Sequence, residues 1–168
     1  PQIRKNFNET AFFKPDLRTD EEGNITFSFQ MPEALTKWNL VTLAHTQDWK
    51  VGTLQGSIIT QKELMVMPNM PRFFRQNDEV VLATKVVNLS EKALEANVKI
   101  EILNAKTLQS LQLPFRIQKQ TQNISIAQGA SAAVTWTLHI PETIDEPVIV
   151  RIVADAGSFS DGEEHYIP

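Results

Sequence analysis

The stretch Leu64–Leu89, LMVMPNMPRFFRQNDEVVLATKVVNL, contains the features that decide the fold class of this chain. Pro68 and Pro71 remove two backbone donors and fix φ, so the first half of the stretch is expected to be an extended edge or crossover segment rather than a helix. The polar run 76–78 predicts a turn. From Glu79 onward, apolar and β-branched residues alternate between two faces, which predicts a buried strand.

Alternation of apolar and polar residues predicts further strands at short intervals. They are Ile25–Met31, Trp38–Thr46, Thr53–Thr60, Leu94–Ile102, Val134–Ile140, Val148–Ala154 and a last strand that ends near Tyr166, with residues 116–126 as a polar edge strand. The pair Asp161-Gly162 is interpreted as the turn before the last strand, and residues 1–18 as an irregular arm packed by its aromatic side chains. Because no segment forms a convincing amphipathic helix, we predict an all-β fold, an antiparallel β-sandwich of the fibronectin type III or immunoglobulin-like kind.

The strand count predicts a domain boundary at residues 61–63. Residues 63–168 hold about six or seven predicted strands, close to the complement of one sandwich domain of ~100 residues. Residues 1–62 hold about three, too few to close a sandwich, because a small sheet needs a second apolar layer. We therefore expect residues 1–62 to be partly disordered, to dock on the second domain, or to pair strands with another chain in a strand-swapped or edge-paired dimer.

Composition narrows the function classes. A net charge of -4 argues against nucleic acid as a partner, since nucleic-acid domains carry a clustered basic face. The 168 residues contain no cysteine, so disulfides, thiolate metal sites and a cysteine nucleophile are excluded here. No apolar run reaches the roughly 18 residues that a spanning helix needs, and no membrane span is predicted. The chain lacks an initiator Met and begins and ends abruptly, so we expect a segment of a longer polypeptide.

Few residues are candidates for catalysis or metal binding. The three histidines, His45, His139 and His165, lack the short spacing of a zinc motif, and no serine lies in a G-x-S-x-G elbow. The densest acidic cluster, Asp161–His165, is compatible with a hydrolase, but a turn that offers its charges to water is favoured, because acid-base catalysis needs a pocket that separates two pKa values. The acidic turn Thr19–Asn24 lacks the spaced ligands of a calcium loop. We predict no catalytic, cofactor-binding or metal residues, no cofactor and no enzyme activity.

The tryptophans leave one alternative function open. Trp38 and Trp136 fall at strand positions that look inward and are predicted as core residues. Trp49 lies in a turn, and a stand-alone adhesion or carbohydrate-binding module that uses Trp49 and the loop near Leu108–Pro114 remains an alternative. Four N-x-S/T sequons, interpreted as turn composition rather than as glycan acceptors, begin at Asn8, Asn24, Asn88 and Asn123.

Several motifs occur in the order and register of a known family. They are Phe7–Phe12 (FNETAF), Thr19–Gly23 (TDEEG), Met31–Trp38 (MPEALTKW), Pro68–Arg75 (PNMPRFFR) and Asn77–Val80 (NDEV). Together they resemble the signature blocks of the α2-macroglobulin family, which includes complement C3-type proteins, from about Arg4 to Leu89. The remainder resembles the following family module more loosely. The family often has Pro at Asn8, Trp near Phe12 and Gly at Asn77, and each departure keeps an aromatic residue or a turn-former.

The resemblance implies an extracytoplasmic protein, periplasmic, envelope-bound or secreted, built of macroglobulin-like sandwich domains. Family members inhibit endopeptidases by collapsing around a protease that has cut a bait region, and many use an internal Cys-Gln thioester. The resemblance makes residues 1–62 the C-terminal half of an interrupted macroglobulin-like domain and residues 63–168 a complete one. Because the thioester requires cysteine, the expected role is a scaffold that links the bait-region domain to downstream thioester-bearing modules. Its implied partners are neighbouring domains and, through the full-length parent, proteases.

Overall fold

A computed structural model describes residues 2–168, which form ten β-strands and no helix. The strands are β1 Ile3–Arg4, β2 Lys37–His45, β3 Val51–Ile59, β4 Leu64–Pro68, β5 Glu79–Asn88, β6 Leu94–Asn104, β7 Thr121–Ile126, β8 Ser131–His139, β9 Val148–Asp155 and β10 Ser160–Ile167. The predicted all-β fold class is therefore confirmed.

Eight of the described strands form a sandwich of two sheets. The larger sheet has the order β1-β10-β9-β6-β7 and the smaller has β4-β5-β8, with antiparallel neighbours except for β1 and β10, which are parallel. Period-2 alternation turns one face of each sheet inward, so both sheets contribute to one apolar core. Its most deeply buried members include Leu64, Val66, Leu82, Val86, Val98, Ile100, Ile102, Phe115, Leu138, Val150 and Ile152.

The stretch that predicted the fold class has the expected structure. β4 lies at the edge of the smaller sheet, and Pro68 ends it, so the missing proline donor costs no central ladder bond. Asn77 adopts φ 65°, a left-handed conformation that asparagine tolerates, in the turn before β5. β5 then pairs with β4 on one side and β8 on the other, and buries Leu82, Thr84 and Val86 on its inner face.

The turn predicted at Asp161-Gly162 is wrong. Both residues lie inside β10 and pair with Ala154 and Val153 of β9. The turn occurs earlier, where Gly157 adopts φ 77° and donates its N–H to the Asp155 carboxylate at 2.8 Å. Position 162 favours glycine because the neighbouring side chains approach it closely: a Cβ there would lie 3.2 Å from the Val153 side chain and 3.4 Å from that of Ile3.

The irregular arm predicted for residues 1–18 is wrong at its start. Ile3 and Arg4 form β1, which adds to the edge of β10 with Ile3 opposite Gly162 and Arg4 opposite Glu163. A two-residue strand is too short to show a period in sequence, and its partner lies at the opposite end of the chain. Neither the strand nor its pairing could be read from the local pattern.

The chain divides into two compact units, and their residue ranges differ from the predicted ones. One comprises residues 61–168 together with residues 2–5, which the prediction had grouped with the first segment, and the other is Asn6–Thr60. The Asn6–Thr60 unit has one hairpin, β2–β3, in full register from Lys37 opposite Ile59 to His45 opposite Val51. Before the hairpin, Phe12 contacts Phe27 and Phe29 with ring centroids 5.0 and 4.4 Å apart, so this part is packed by its aromatic side chains as expected.

The strand predicted at Ile25–Met31 is absent. These residues are not in a strand, and they are mostly exposed. Their alternation of apolar and polar side chains is real, but a strand exists only when its backbone pairs with a neighbour, and within residues 6–60 the hairpin strands pair only with each other.

Candidate functional site

A buried ion cluster fastens β1 to the sandwich. The Asp161 carboxylate, with 0% of its surface exposed, accepts hydrogen bonds from Arg4 Nε at 2.9 Å to Oδ1 and from Arg4 Nη2 at 2.6 Å to Oδ2. Lys62 Nζ lies 3.0 Å from Oδ1, and the Val66 N–H donates to Oδ2 at 3.0 Å. Arg4 also lies 2.8 Å from Glu163 Oε1 and donates to the Val66 carbonyl at 3.1 Å. Charges so deeply buried are stable only when paired and hydrogen-bonded in this way.

The protonation of the cluster follows from these contacts. Burial on its own would raise the pKa of Asp161, but hydrogen bonds from Arg4, the Val66 N–H and Lys62 outweigh burial and hold that pKa below its ordinary value. Burial would likewise lower the pKa of Arg4, and the bonds to Asp161 and Glu163 raise it instead. Asp161 and Arg4 therefore remain ionised at neutral pH. His165 extends it, with Nε2 2.7 Å from Glu163 Oε2.

A second row of charges crosses the outer face of the same sheet. Glu101, Arg151 and Glu164 lie directly opposite one another on β6, β9 and β10. Arg151 bridges its neighbours at 3.0 Å to Glu101 and 2.7 Å to Glu164, and Lys5 lies 2.8 Å from Glu164. Burial would raise the pKa of Glu164, but the bonds from Lys5 and Arg151 lower it. Since successive side chains in a strand point to opposite faces, Arg4 binds the inner cluster and Lys5 the outer row.

The interpretation of Asp161–His165 as a solvated turn is wrong. Asp161 and Glu163 point inward from a strand and neutralise Arg4, while Glu164 points outward to Arg151. In this arrangement the Asp161 carboxylate is closed to a substrate. Sequence reasoning missed Arg4 and Lys62, which lie 157 and 99 residues from Asp161. The only local signal was the apolar Ile3 next to two basic residues, which is too short to indicate a strand.

The hairpin β2–β3 presents an apolar surface. Every residue of both strands is exposed except Trp38, which is half-buried and donates its indole N–H to Thr60 Oγ1 at 3.0 Å. One face of the hairpin carries Val41, Leu43, Val51 and Ile59, and the other carries Leu40, Leu54 and Ile58. A two-stranded hairpin is at best marginally stable without a layer packed against it. This surface is therefore suited to contact with another protein layer.

The residues of the carbohydrate-binding alternative belong to different units. Trp49 lies at the hairpin tip with φ 63° and 81% exposure, and its ring stacks on His45 at 5.9 Å. A bulky residue in the left-handed region is uncommon. The loop near Leu108–Pro114 belongs to the sandwich unit, and Leu113 is exposed on it. Trp136, in contrast, is a core residue as predicted, with its N–H donated to the Lys119 carbonyl.

The remaining predicted features are structural. Asp20 caps the acidic turn by accepting N–H groups of Glu22 and Asn24, which confirms an exposed turn. Asn88 and Ser90 of the sequon that begins at Asn88 are buried, and the Asn88 amide nitrogen donates to carbonyls that include Lys92 and Ile126. Across residues 2–168, no group of three or more His, Asp or Glu side chains is arranged to hold a metal ion. The same residues include no helix with the length and hydropathy of a membrane span.

Comparison with known proteins agrees with this architecture. The model of the family described as "Alpha-2-macroglobulin family" matches residues 10–100, more than half of the chain. The chain belongs to the α2-macroglobulin family. Among the relatives of this macroglobulin-family chain, the Thermotoga maritima protein named alpha-2-macroglobulin is 22% identical over 167 residues, 99% of this chain and 10% of the relative. A Nostoc homolog is 26% identical over 128 residues, 76% of this chain and 7% of the relative.

Solved macroglobulin structures share the fold. Trypsin-activated alpha-2-macroglobulin from Escherichia coli matches with a TM-score of 0.72 at 14% identity, over 89% of this chain and 10% of that one. The elastase-activated Escherichia coli protein matches with 0.69 at 13% identity, over 94% of this chain and 15% of that one. The macroglobulin-family chain thus spans a tenth or less of the length of the curated relatives that it matches.

Proposed function

We propose that this chain is a scaffold segment of an α2-macroglobulin-like endopeptidase inhibitor. In this proposal, residues 63–168, with β1 added at one sheet edge, are a complete macroglobulin-like domain, and the remainder of residues 1–62 is the C-terminal half of an interrupted one. The segment links the bait-region domain to downstream thioester-bearing modules, and its first strands relay the change of shape that follows cleavage of the bait region. The parent protein lies outside the cytoplasm, in the bacterial periplasm or envelope or in the medium, and acts on proteases as a whole. The segment itself performs no catalysis.

One observation carries the proposal, namely the contrast between a closed sandwich and an open hairpin in the same chain. The sandwich buries apolar residues from both of its sheets, whereas the hairpin β2–β3 leaves large apolar side chains exposed on both of its faces. A soluble protein rarely exposes so much contiguous apolar surface without a partner for it. The other half of an interrupted domain, supplied by the longer protein, is the partner that fits a two-stranded sheet with both edges unpaired.

Residues 25–31 support the same proposal. They retain the alternation of a half-buried strand, with Ile25, Phe27 and Phe29 on one side, but have no partner strand within residues 6–60. A segment patterned as a strand but left unpaired is expected where the neighbouring strand comes from elsewhere. In the longer protein, we expect this segment and the hairpin to be strands of one completed sandwich.

The scaffold role is tested on the chain with its upstream half added. Residues 25–31 and the hairpin should then gain amide protection of about a hundredfold or more, because their backbone donors become paired within a sheet. The chain 1–168 is the control and should show fast exchange in these segments. If exchange there is equally fast in the longer chain, the interrupted-domain assignment is wrong.

The inhibitor role is tested on the full-length parent. After limited cleavage by a protease such as trypsin, the parent should become more compact, which small-angle scattering measures as a smaller radius of gyration. It should also shield the protease from large protein substrates more than from small peptides. A parent that is cut without any change in size or shape would contradict the inhibitor proposal and the relay of that change through this segment.

A carbohydrate-binding module is the second candidate, favoured only by the exposed Trp49 and its stacked His45 neighbour. A glycan array probed with the chain and with its Trp49→Ala variant decides between the two. Glycan binding that disappears in the variant supports the carbohydrate-binding module, and background signals for both proteins across the array exclude it.

A further inference from the structure

We infer that the Asp161 carboxylate is a latch that fastens both ends of the segment 6–60 at one point, so that β1 and the chain around Lys62 are held and released together. Arg4 lies two residues before this segment and Lys62 two residues after it, and both side chains bind Asp161. The inference goes beyond the scaffold role, and it depends on that role only for its use in the longer protein.

The two ends share a single acceptor atom. Arg4 Nε and Lys62 Nζ both bind Asp161 Oδ1, at 2.9 and 3.0 Å, and Arg4 Nη2 shares Oδ2 with the Val66 N–H. Arg4 also bonds directly to the Val66 carbonyl. Each donor fixes the carboxylate in the orientation that the other requires. Neighbours in one buried network couple in this way, and the loss of one partner weakens the bonds of the rest.

The latch matters because β1 is short. Its ladder covers only Ile3 and Arg4 along an eight-residue partner strand. The close fit of Ile3 over Gly162 and the Lys5–Glu164 ion pair on the outer face add to this, although an ion pair with an exposed partner contributes little. The buried cluster is therefore the main anchor of β1, and opening it would expose the edge of β10 beside the strand.

The latch differs from a set of independent bonds in one measurable respect. If the ends are coupled, damage to one end loosens the other end as well. Lys62→Met should speed amide exchange at residues 3–5 about tenfold, and Arg4→Met should speed exchange at residues 62–66 by a similar factor. Hydrogen exchange with peptide-level mass spectrometry on the whole chain measures both segments at once.

Two further variants make the test sharp. Lys106→Met is the matched control, because it removes a surface ion pair to Glu146 that shares no residue with the buried cluster or the outer row, and it should leave both segments unchanged. Ile3→Ala removes no charge but shortens the side chain that lies over Gly162, so it should loosen β1 and also speed exchange at residues 62–66. It serves as the decisive variant if Arg4→Met does not fold. Effects confined to the mutated end in every variant would overturn the latch.

Failure of the latch and failure of the proposed function give different results. Uncoupled exchange in this chain overturns the latch and leaves the scaffold proposal intact. If the parent protein and its Asp161→Asn variant change shape on cleavage to the same extent, the latch takes no part in the change. A parent that does not change shape at all overturns the relay, while coupled exchange in the chain would still establish the latch.

Discussion

The sandwich and the hairpin are made of similar sequence but have opposite environments. β5 and β8 alternate apolar and polar residues and bury one face against a second sheet, whereas β2 and β3 carry nearly as many apolar residues and leave nearly all of them exposed. The difference is the presence of a second layer. Alternation makes a strand possible, but burial depends on whether another sheet is available to cover its apolar face.

Substituting one tryptophan in each region tests this comparison with the largest expected effect. Trp136→Ala should lower the free energy of unfolding of the sandwich by about 3–5 kcal/mol, because a side chain with 4% exposure leaves a cavity and its N–H loses the Lys119 carbonyl. Trp49→Ala, at a side chain with 81% exposure, should change this free energy of unfolding by less than about 0.5 kcal/mol. Urea denaturation of both variants is the measurement. Equal losses would show that the hairpin tip is packed in solution.

The same contrast explains how much of the fold could be predicted. Strands in the sandwich unit are long, strongly alternating and bounded by turn residues, so the residues from Glu79 to Asn88 and from Leu94 to Ile102 could be assigned from their own pattern. Ile25–Met31 has an equally clear pattern but no strand, because pairing is a property of the neighbour and not of the segment.

The buried cluster was less predictable than the strands. The residues 161–165 read as a polar turn, since Asp-Gly is a common turn pair and three carboxylates are normally solvated. Their burial depends on Arg4 and Lys62, which come from distant parts of the chain. Burial of a charge is decided by its counter-charge, and a single sequence carries no record of which charges meet.

Removing the charge of Asp161 tests the cluster and should have the next largest effect. Asp161→Asn should destabilise the sandwich by about 3 kcal/mol, because it leaves the buried Arg4 with one carboxylate fewer. Asp145→Asn is the control at an exposed aspartate and should be nearly neutral. Thermal and urea unfolding of the two variants provide the comparison. A neutral Asp161→Asn variant would mean that the cluster contributes nothing net to stability.

Lowering the pH should destabilise the sandwich in the same way as Asp161→Asn, because it protonates the Asp161 carboxylate. Since the folded-state pKa of Asp161 is lowered, its stabilisation is fully present above the unfolded value of about 3.9 and is lost as the pH falls through the folded value. The pKa values of Glu101 and Glu164 are lowered as well, so the outer row weakens in the same direction. The difference in free energy of unfolding between the unsubstituted chain 1–168 and its Asp161→Asn variant should therefore become smaller below about pH 4. A gap that stays constant down to about pH 2 would contradict this assignment.

Substituting Thr84 tests the core, and the expected change is a small gain in stability instead of a loss. Among the residues that the structure describes, its Oγ1 is the one buried side-chain oxygen or nitrogen without a hydrogen-bond partner. Thr84→Val removes that oxygen and keeps the shape, so it should stabilise the sandwich by about 1 kcal/mol. Thr137→Val on the exposed face of β8 is the matched control and should be neutral. Destabilisation by Thr84→Val would show that the hydroxyl has a partner in solution, such as an ordered water molecule.

The hairpin offers the smallest effect in this chain and the sharpest test of the comparison. Val41→Lys and Leu54→Lys place a charge on opposite faces of the hairpin, at positions 70% and 65% exposed. Neither should change the stability of residues 1–168 by more than about 0.5 kcal/mol, because both lysines remain in water. In the chain extended by its upstream half, the variant on the covered face should lose about 2 kcal/mol or more, because it buries an unpaired charge. The other should stay neutral, so the pair also identifies which face is covered. If both remain neutral in the extended chain, the exposed apolar surface is not the open side of an interrupted domain, and the hairpin and the sandwich differ for another reason.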